Sequence, residues 1–407
     1  MKTSADCGAY SRRRRAITAA ALLLTTLVVA LSPLPADLSG TGGNTFYLSG
    51  CALFLLYALQ GRHALDIAKT PLALLSIALA IPSVLYWRDP ALALYSIYFV
   101  VGVLVFLACD SDIVAQFSVA ASAMLLAITI AAWVGFGYAL AGGPSLFSIQ
   151  NPDGRSNDLF LSTFSNWSIG NLIRPAGIFD EPGTLSFLIC FIAALRHRLG
   201  QSRRVTWLLL VAGLITTSLA HFIYLLLHAV EDRRFIRPGW KSLALGGALV
   251  LALLSNADLT SSPESEVFIS RFIVDEGRLG GDSRSDLFFA AVDRTTLETF
   301  FFGLDSDCAV RPLVCEAKGY GQFGETPAGV LLQLGIFLAA PYLFVLIATF
   351  ALAIAKRSPI YLGLFLLLVQ RPYVMTFGYS FLILMVIFQV QPRRFGRPLA
   401  SRSVTPT

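Results

Sequence analysis

Charge is what this chain has least of. Only 14% of its 407 residues are Asp, Glu, Lys or Arg, against about 25% in a soluble domain. That is too little polar side chain to coat a water-soluble protein of this length, which disfavours a soluble multidomain enzyme. Disorder is disfavoured too, because 56% of the residues are hydrophobic and disordered segments are poor in hydrophobes. Six cysteines are too sparse for a secreted disulfide scaffold. The chain contains no Walker A loop, dinucleotide fingerprint, H-E-x-x-H or G-x-S-x-G, which argues against ATP-driven transport.

What the chain has in abundance is long apolar runs, and the bilayer is the solvent they fit. Bounded by charge or by Pro and Gly, they predict about twelve spans near 16–34, 45–60, 70–87, 91–108, 114–139, 183–195, 205–217, 218–230, 240–257, 327–355, 359–370 and 377–391,. The expected fold is therefore all-α, a single polytopic membrane domain over 1–407. Within 205–230 the polar Thr216-Thr217-Ser218 predicts two half-length helices, and Pro341 predicts a kink in 327–355,. Most of the 31 Lys and Arg residues fall on one side of this topology, among them Arg12 to Arg15, Arg203, Arg204, Arg233 and Arg234. The positive-inside rule then puts both termini in the cytoplasm. The formal net charge of +6 reports that topology, not nucleic-acid binding. Arg12 to Arg15 resemble a signal-peptide n-region, but the apolar run after them exceeds a usual h-region, so the cluster reads as the anchor of the first span,.

Two external segments, 140–182 and 258–326, are long enough to build a site. In the second, Ser283-Arg284-Ser285-Asp286 resembles a capping box and precedes Leu287, Phe288, Ala291 and Val292,. This amphipathic stretch fits either the outer membrane surface or an ordinary loop helix covering the protein. Cys308 and Cys315 share that loop and predict a disulfide, a metal site being the alternative,.

The densest polar cluster runs from Arg174 through Asp180, Glu181, Pro182 and Gly183 at the start of a span. Acids and Pro in that position suit a helix N-terminus, which leaves Arg174 and Gly177 unexplained. A second group holds Arg271, Arg278, Arg284, Arg294, Gly303 and then Gly324-Glu325-Thr326-Pro327; a third is Arg371-Pro372-Tyr373. Arginines gathered at the outer interface suit an anionic headgroup, especially a pyrophosphate, through bidentate bonds. Salt bridges to external acids are the competing use. His221 and His228 share one helix face, where a substrate role competes with helix-packing hydrogen bonds,. Asp110-Ser111-Asp112 and Asp305-Ser306-Asp307 both read D-x-D, a cheap pattern, and no metal or other cofactor is expected.

Together these groups resemble the bacterial O-antigen and exopolysaccharide polymerases of the Wzy type. Arg174 to Gly183 is similar to their R-x-x-G-x-F-x-E-P-(G/S) segment, Thr216-Thr217-Ser218 to their T-x-S turn, and Arg284 with Gly303 to elements of their large periplasmic loop. Gln370-Arg371-Pro372 resembles a late R-P element. The resemblance implies a metal-independent, inverting glycosyltransferase in the bacterial inner membrane. Its donor would be an undecaprenyl-diphosphate-linked oligosaccharide, its surroundings membrane lipid, and its partners a chain-length regulator and a flippase. Arg174 and Arg284 would then hold the donor pyrophosphate, with Arg278, Arg371 and His221 as further binding candidates. Glu325 and Glu181 are the candidates for the base, Glu325 preferred by position, with Glu181 then orienting Arg174. Leu219 replaces an Arg frequent in the family, and the His-Asn pair of the related O-antigen ligases is missing before the span at 327. The rival readings are a ligase-type transferase and a lipid-linked oligosaccharide flippase or other transporter.

Overall fold

The computed structural model describes residues 4–40, 42–60, 70–150, 156–232, 274–275, 278–279, 283–304, 308 and 326–389. Helix dominates. In chain order the helices are α1 (Ser4–Leu31), α2 (Pro33–Ser39), α3 (Gly43–Gln60), α4 (Thr70–Trp87), α5 (Ala93–Ala108), α6 (Ser111–Leu140), α7 (Pro182–Arg198), α8 (Arg203–Ala212), α9 (Leu219–Glu231), α10 (Ser283–Asp293), α11 (Leu297–Phe302), α12 (Pro327–Lys356), α13 (Pro359–Gln370) and α14 (Ser380–Phe388).

Four helical stretches are long and apolar enough to cross a membrane: Tyr10–Leu31, Pro90–Ala108, Ser111–Leu140 and Pro327–Lys356. The bent pair α2 and α3, which meet at 101°, makes a fifth if counted as one span. This is fewer than the twelve expected. The apolar stretches Ala73–Trp87, Leu219–Glu231 and Pro359–Gln370 are shorter, and the run at 240–257 lies outside the described residues. Several apolar helices of this kind suggest a multi-pass membrane protein.

The long helix α6 shows how sequence sets these elements. Asp110 caps it, its carboxylate accepting from the amides of Asp112 (3.0 Å) and Ile113 (2.8 Å). Thirty residues follow, about 45 Å at 1.5 Å per residue, more than the hydrocarbon core requires. Its buried positions, including Val114, Phe117, Ala121, Leu125, Ile128 and Ala132, recur every three or four residues and form one stripe,. By contrast α7 is buried all round from Pro182 to Arg196, and α14 from Ser380 to Ile387. Helices apolar on every face belong in the centre of a bundle. The two pack on each other, with α5, α6, α8, α9 and α13 around them.

The all-α expectation fails in the first external segment. Residues Phe147–Gln150 (β1), Ser156–Phe160 (β2) and Thr163–Ser165 (β3) form an antiparallel sheet, and Ser168–Ile169 (β4) pairs with Leu172–Ile173 (β5). In β1 only Ile149 is buried, packed with Phe164 and Ala176. The sheet closes over the C-terminal end of α6, where a Cβ on Gly135 would meet Phe160 and Thr163. A further short pair joins Val274–Asp275 (β6) to Arg278–Leu279 (β7).

The break in α12 also differs from expectation. It falls at Gly335 (φ 67°, ψ 169°), while Pro341 sits within the helix. Gly303, itself at φ 78°, ends α11 against this break, and Leu304 donates to the Gln333 carbonyl at 3.1 Å. A Cβ on Gly303 would come within 2.6 Å of the Gln333 carbonyl oxygen. Only residues without a Cβ allow these two backbones to touch.

Candidate functional site

The polar groups of the α6–α7 connection gather at one end of the bundle. Arg174 follows β5 directly, its amide held by Ser165 Oγ (3.2 Å) and the Trp167 carbonyl (3.3 Å). Phe164 N donates to the Gly177 carbonyl at 2.7 Å, and Ala176 N donates to the Phe164 carbonyl at 2.8 Å. This lashes residues 174–177 to the sheet. Gly177 is left-handed (φ 66°), and a Cβ there would strike Ile128 of α6, so the motif glycine is required by both backbone and space.

The half-buried Arg174 donates from Nε to Thr217 Oγ1 at 3.1 Å. Thr217 is itself left-handed (φ 49°, ψ 30°) at the break between α8 and α9. A β-branched residue in that region is strained, and such strain concentrates at functional sites. The break lands here because α8 runs back along α7. Arg196 near the end of α7 bonds Thr206 of α8 at 3.1 Å, while Gly213 lies against Ile189 further up. Thr217, four residues on, therefore reaches the level of the first turns of α7.

At that start of α7, Glu181 is the N-cap residue and Pro182 the first helical position. Arg371 is bonded to Glu181. Arg371 Nη1 forms a salt bridge to Glu181 Oε1, and both side chains are 11% exposed. The Tyr373 hydroxyl donates to the same oxygen at 2.7 Å. The Arg371 guanidinium also touches the Tyr373 hydroxyl and lies 5.5 Å over its ring. Tyr373 stacks on Tyr379 at 4.3 Å, with Phe187 against both. Tyr379 then donates to Thr184 Oγ1 (3.3 Å), which donates to Asp180 (3.0 Å). Gly183 makes room for this arrangement, since a Cβ there would collide with the Arg371 guanidinium. A buried cation paired and hydrogen-bonded in this way is fixed in place.

The remaining expected residues are distributed as follows. Arg284 stands in the first turn of α10 and Arg278 opens β7. Glu325 lies outside the described residues, but its neighbour Thr326 caps α12, accepting from Gly329 N at 3.0 Å. Helix α12 packs on the Tyr373–Met375 turn. Cys308 is buried and disulfide-bonded; Cys315 lies outside the described residues. Ala291 of α10 is buried with Leu304, Cys308, Ala328 and Leu332, leaving Phe288, Phe289 and Val292 exposed.

His221 does not face this cluster. It is fully buried, with Nε2 on the Leu210 carbonyl (2.8 Å) and Nδ1 near Cys190 Sγ (3.5 Å). The ring locks α8, α9 and α7 together, the helix-packing use of the two weighed from the sequence. Asp110-Ser111-Asp112 is a helix cap, and Asp305 to Asp307 lie outside the described residues. Among the described residues no three His, Cys, Asp or Glu side chains are grouped to hold a metal. Thr184 and Tyr379 complete the cluster; both lie near small polar residues, and no spacing in the sequence singles them out.

No family model and no curated protein matches this chain.

Proposed function

We propose that the protein is a membrane-embedded glycan polymerase with about twelve spans and both termini cytoplasmic. It would transfer a glycan from an undecaprenyl-diphosphate carrier to a lipid-linked acceptor at the outer face of the inner membrane. The observation that carries this reading is the convergence of Arg174, the strained Thr217 and the Arg371–Glu181–Tyr373 cluster at one end of the central helix α7. Fixed arginines at a membrane boundary are suited to a pyrophosphate and to the charge that develops on it as it leaves. Glu181 positions Arg371. Glu325 is the proposed base for the acceptor hydroxyl, and Arg284 the second pyrophosphate ligand. The exposed Phe288, Phe289 and Val292 suit a helix resting on the outer bilayer surface beside a lipid-borne substrate.

In cells, Arg174→Ala or Arg284→Ala should abolish long chains and leave single repeat units on lipid, with the protein still inserted. Polymer of normal length from both variants would overturn the reading.

A further inference from the structure

The end of the bundle opposite Arg174 carries a second polar site. Helix α6 spans the distance between them: its C-terminal end meets the sheet, and its N-terminal end, at Asp110 and Asp112, opens onto a cavity of about 770 Å³. Arg12 and Arg15 of α1 face that cavity, as do Tyr57 and Gln60 at the end of α3. The two arginines are three residues apart, so they share one helix face. Among the described residues neither side chain has a hydrogen-bond or ion-pair partner. Across the cavity, Asp110 caps α6 and Asp112 sits exposed in its first turn. The inner wall is apolar, built from the buried Ala16, Ala58 and Ile113.

We propose that this cavity binds the headgroup of an amine-bearing, zwitterionic phospholipid of the phosphoethanolamine class. Its phosphate diester would lie between Arg12 and Arg15, and its ammonium against Asp110 and Asp112. Three observations select this chemistry. Two cations facing one cavity match a phosphate. Two carboxylates on the facing wall match an ammonium and disfavour a headgroup that is only anionic. The cavity lies where the apolar stretches Tyr10–Leu31 and Ser111–Leu140 begin, both long enough to cross a membrane, and there pockets between helices meet lipid headgroups. The volume falls in the range of small-ligand sites. This site is independent of the glycan chemistry proposed for the other end.

The test uses full-length protein in detergent, titrated with dioleoyl phosphatidylethanolamine and dioleoyl phosphatidylglycerol, with bound lipid counted by native mass spectrometry. The ethanolamine lipid should bind about fivefold more tightly, the worth of one modest ion pair. Arg12→Gln with Arg15→Gln should weaken it about tenfold, and Arg12→Lys with Arg15→Lys should restore much of that loss. Asp112→Asn should erase the preference between the two lipids while keeping phosphatidylglycerol bound, a change that misfolding does not mimic. Equal wild-type affinity for the two lipids would overturn the proposal, as would an unchanged affinity in the double Gln variant. Glycerophosphoethanolamine, which has no tails, should fail to compete at equal concentration; full competition would mark a site for the free headgroup and overturn the lipid assignment.

Discussion

Arg371 and Glu181 lie 190 residues apart in sequence and form a salt bridge with both side chains 11% exposed. The pair ties the Arg371-Pro372-Tyr373 turn to the first turn of the central helix. Removing one partner strands the other charge in a dry place. Glu181→Ala and Arg371→Ala should each destabilise the protein by about 3–5 kcal/mol. Replacing both by Met should recover much of that loss. Thermal unfolding in detergent reads the difference, and unchanged midpoints in the single variants would show that the pair is solvated.

Gly183 gives a sharper test, because it has no side chain of its own to lose. A Cβ there collides with the Arg371 guanidinium. Gly183→Ala should move Arg371 and cut polymer length to a few repeats, with membrane insertion intact. Full-length polymer from this variant would separate Arg371 from the chemistry.

Thr217 lets backbone and side chain be scored separately. Thr217→Gly relieves a left-handed residue but deletes the acceptor for Arg174 Nε. The variant should match or exceed wild type in thermal stability and lose polymerisation. Thr217→Ser should keep both. A Gly variant as active as wild type would remove Thr217 from the site.

The contact of Gly303 with Gly335 predicts a stability defect remote from the chemistry. Both residues have positive φ, and each would drive a Cβ into the other's backbone. Gly303→Ala and Gly335→Ala should each cost more than about 1 kcal/mol, read as a lowered unfolding midpoint.

Some of this was readable in the residues alone. Thr216-Thr217-Ser218 puts three hydroxyls in an uncharged apolar stretch, and the chain breaks there, at Thr217. Asp180, Glu181 and Pro182 stand where a helix start needs them, and α7 begins at Pro182. The partner of Glu181 was not readable, since no spacing rule joins residues 190 apart. Strands β1 to β5 run two to five residues, too short for a period of two to emerge. Pro341 drew attention away from Gly335 because proline is the usual helix breaker. Within an apolar bundle neighbouring groups absorb a proline, and the true break follows from the approach of Gly303. His221 has the composition of a functional residue and the geometry of a packing one.

On the proposed reading, this chain alone extends a lipid-linked glycan. The most direct measurement reconstitutes the purified full-length protein in liposomes with an undecaprenyl-diphosphate-linked repeat unit, without nucleotide sugar and with chelator present. Longer lipid-linked chains should appear with wild type and not with Arg174→Ala. An intact, unextended substrate with folded wild-type protein, or extension that survives Arg174→Ala, would contradict it.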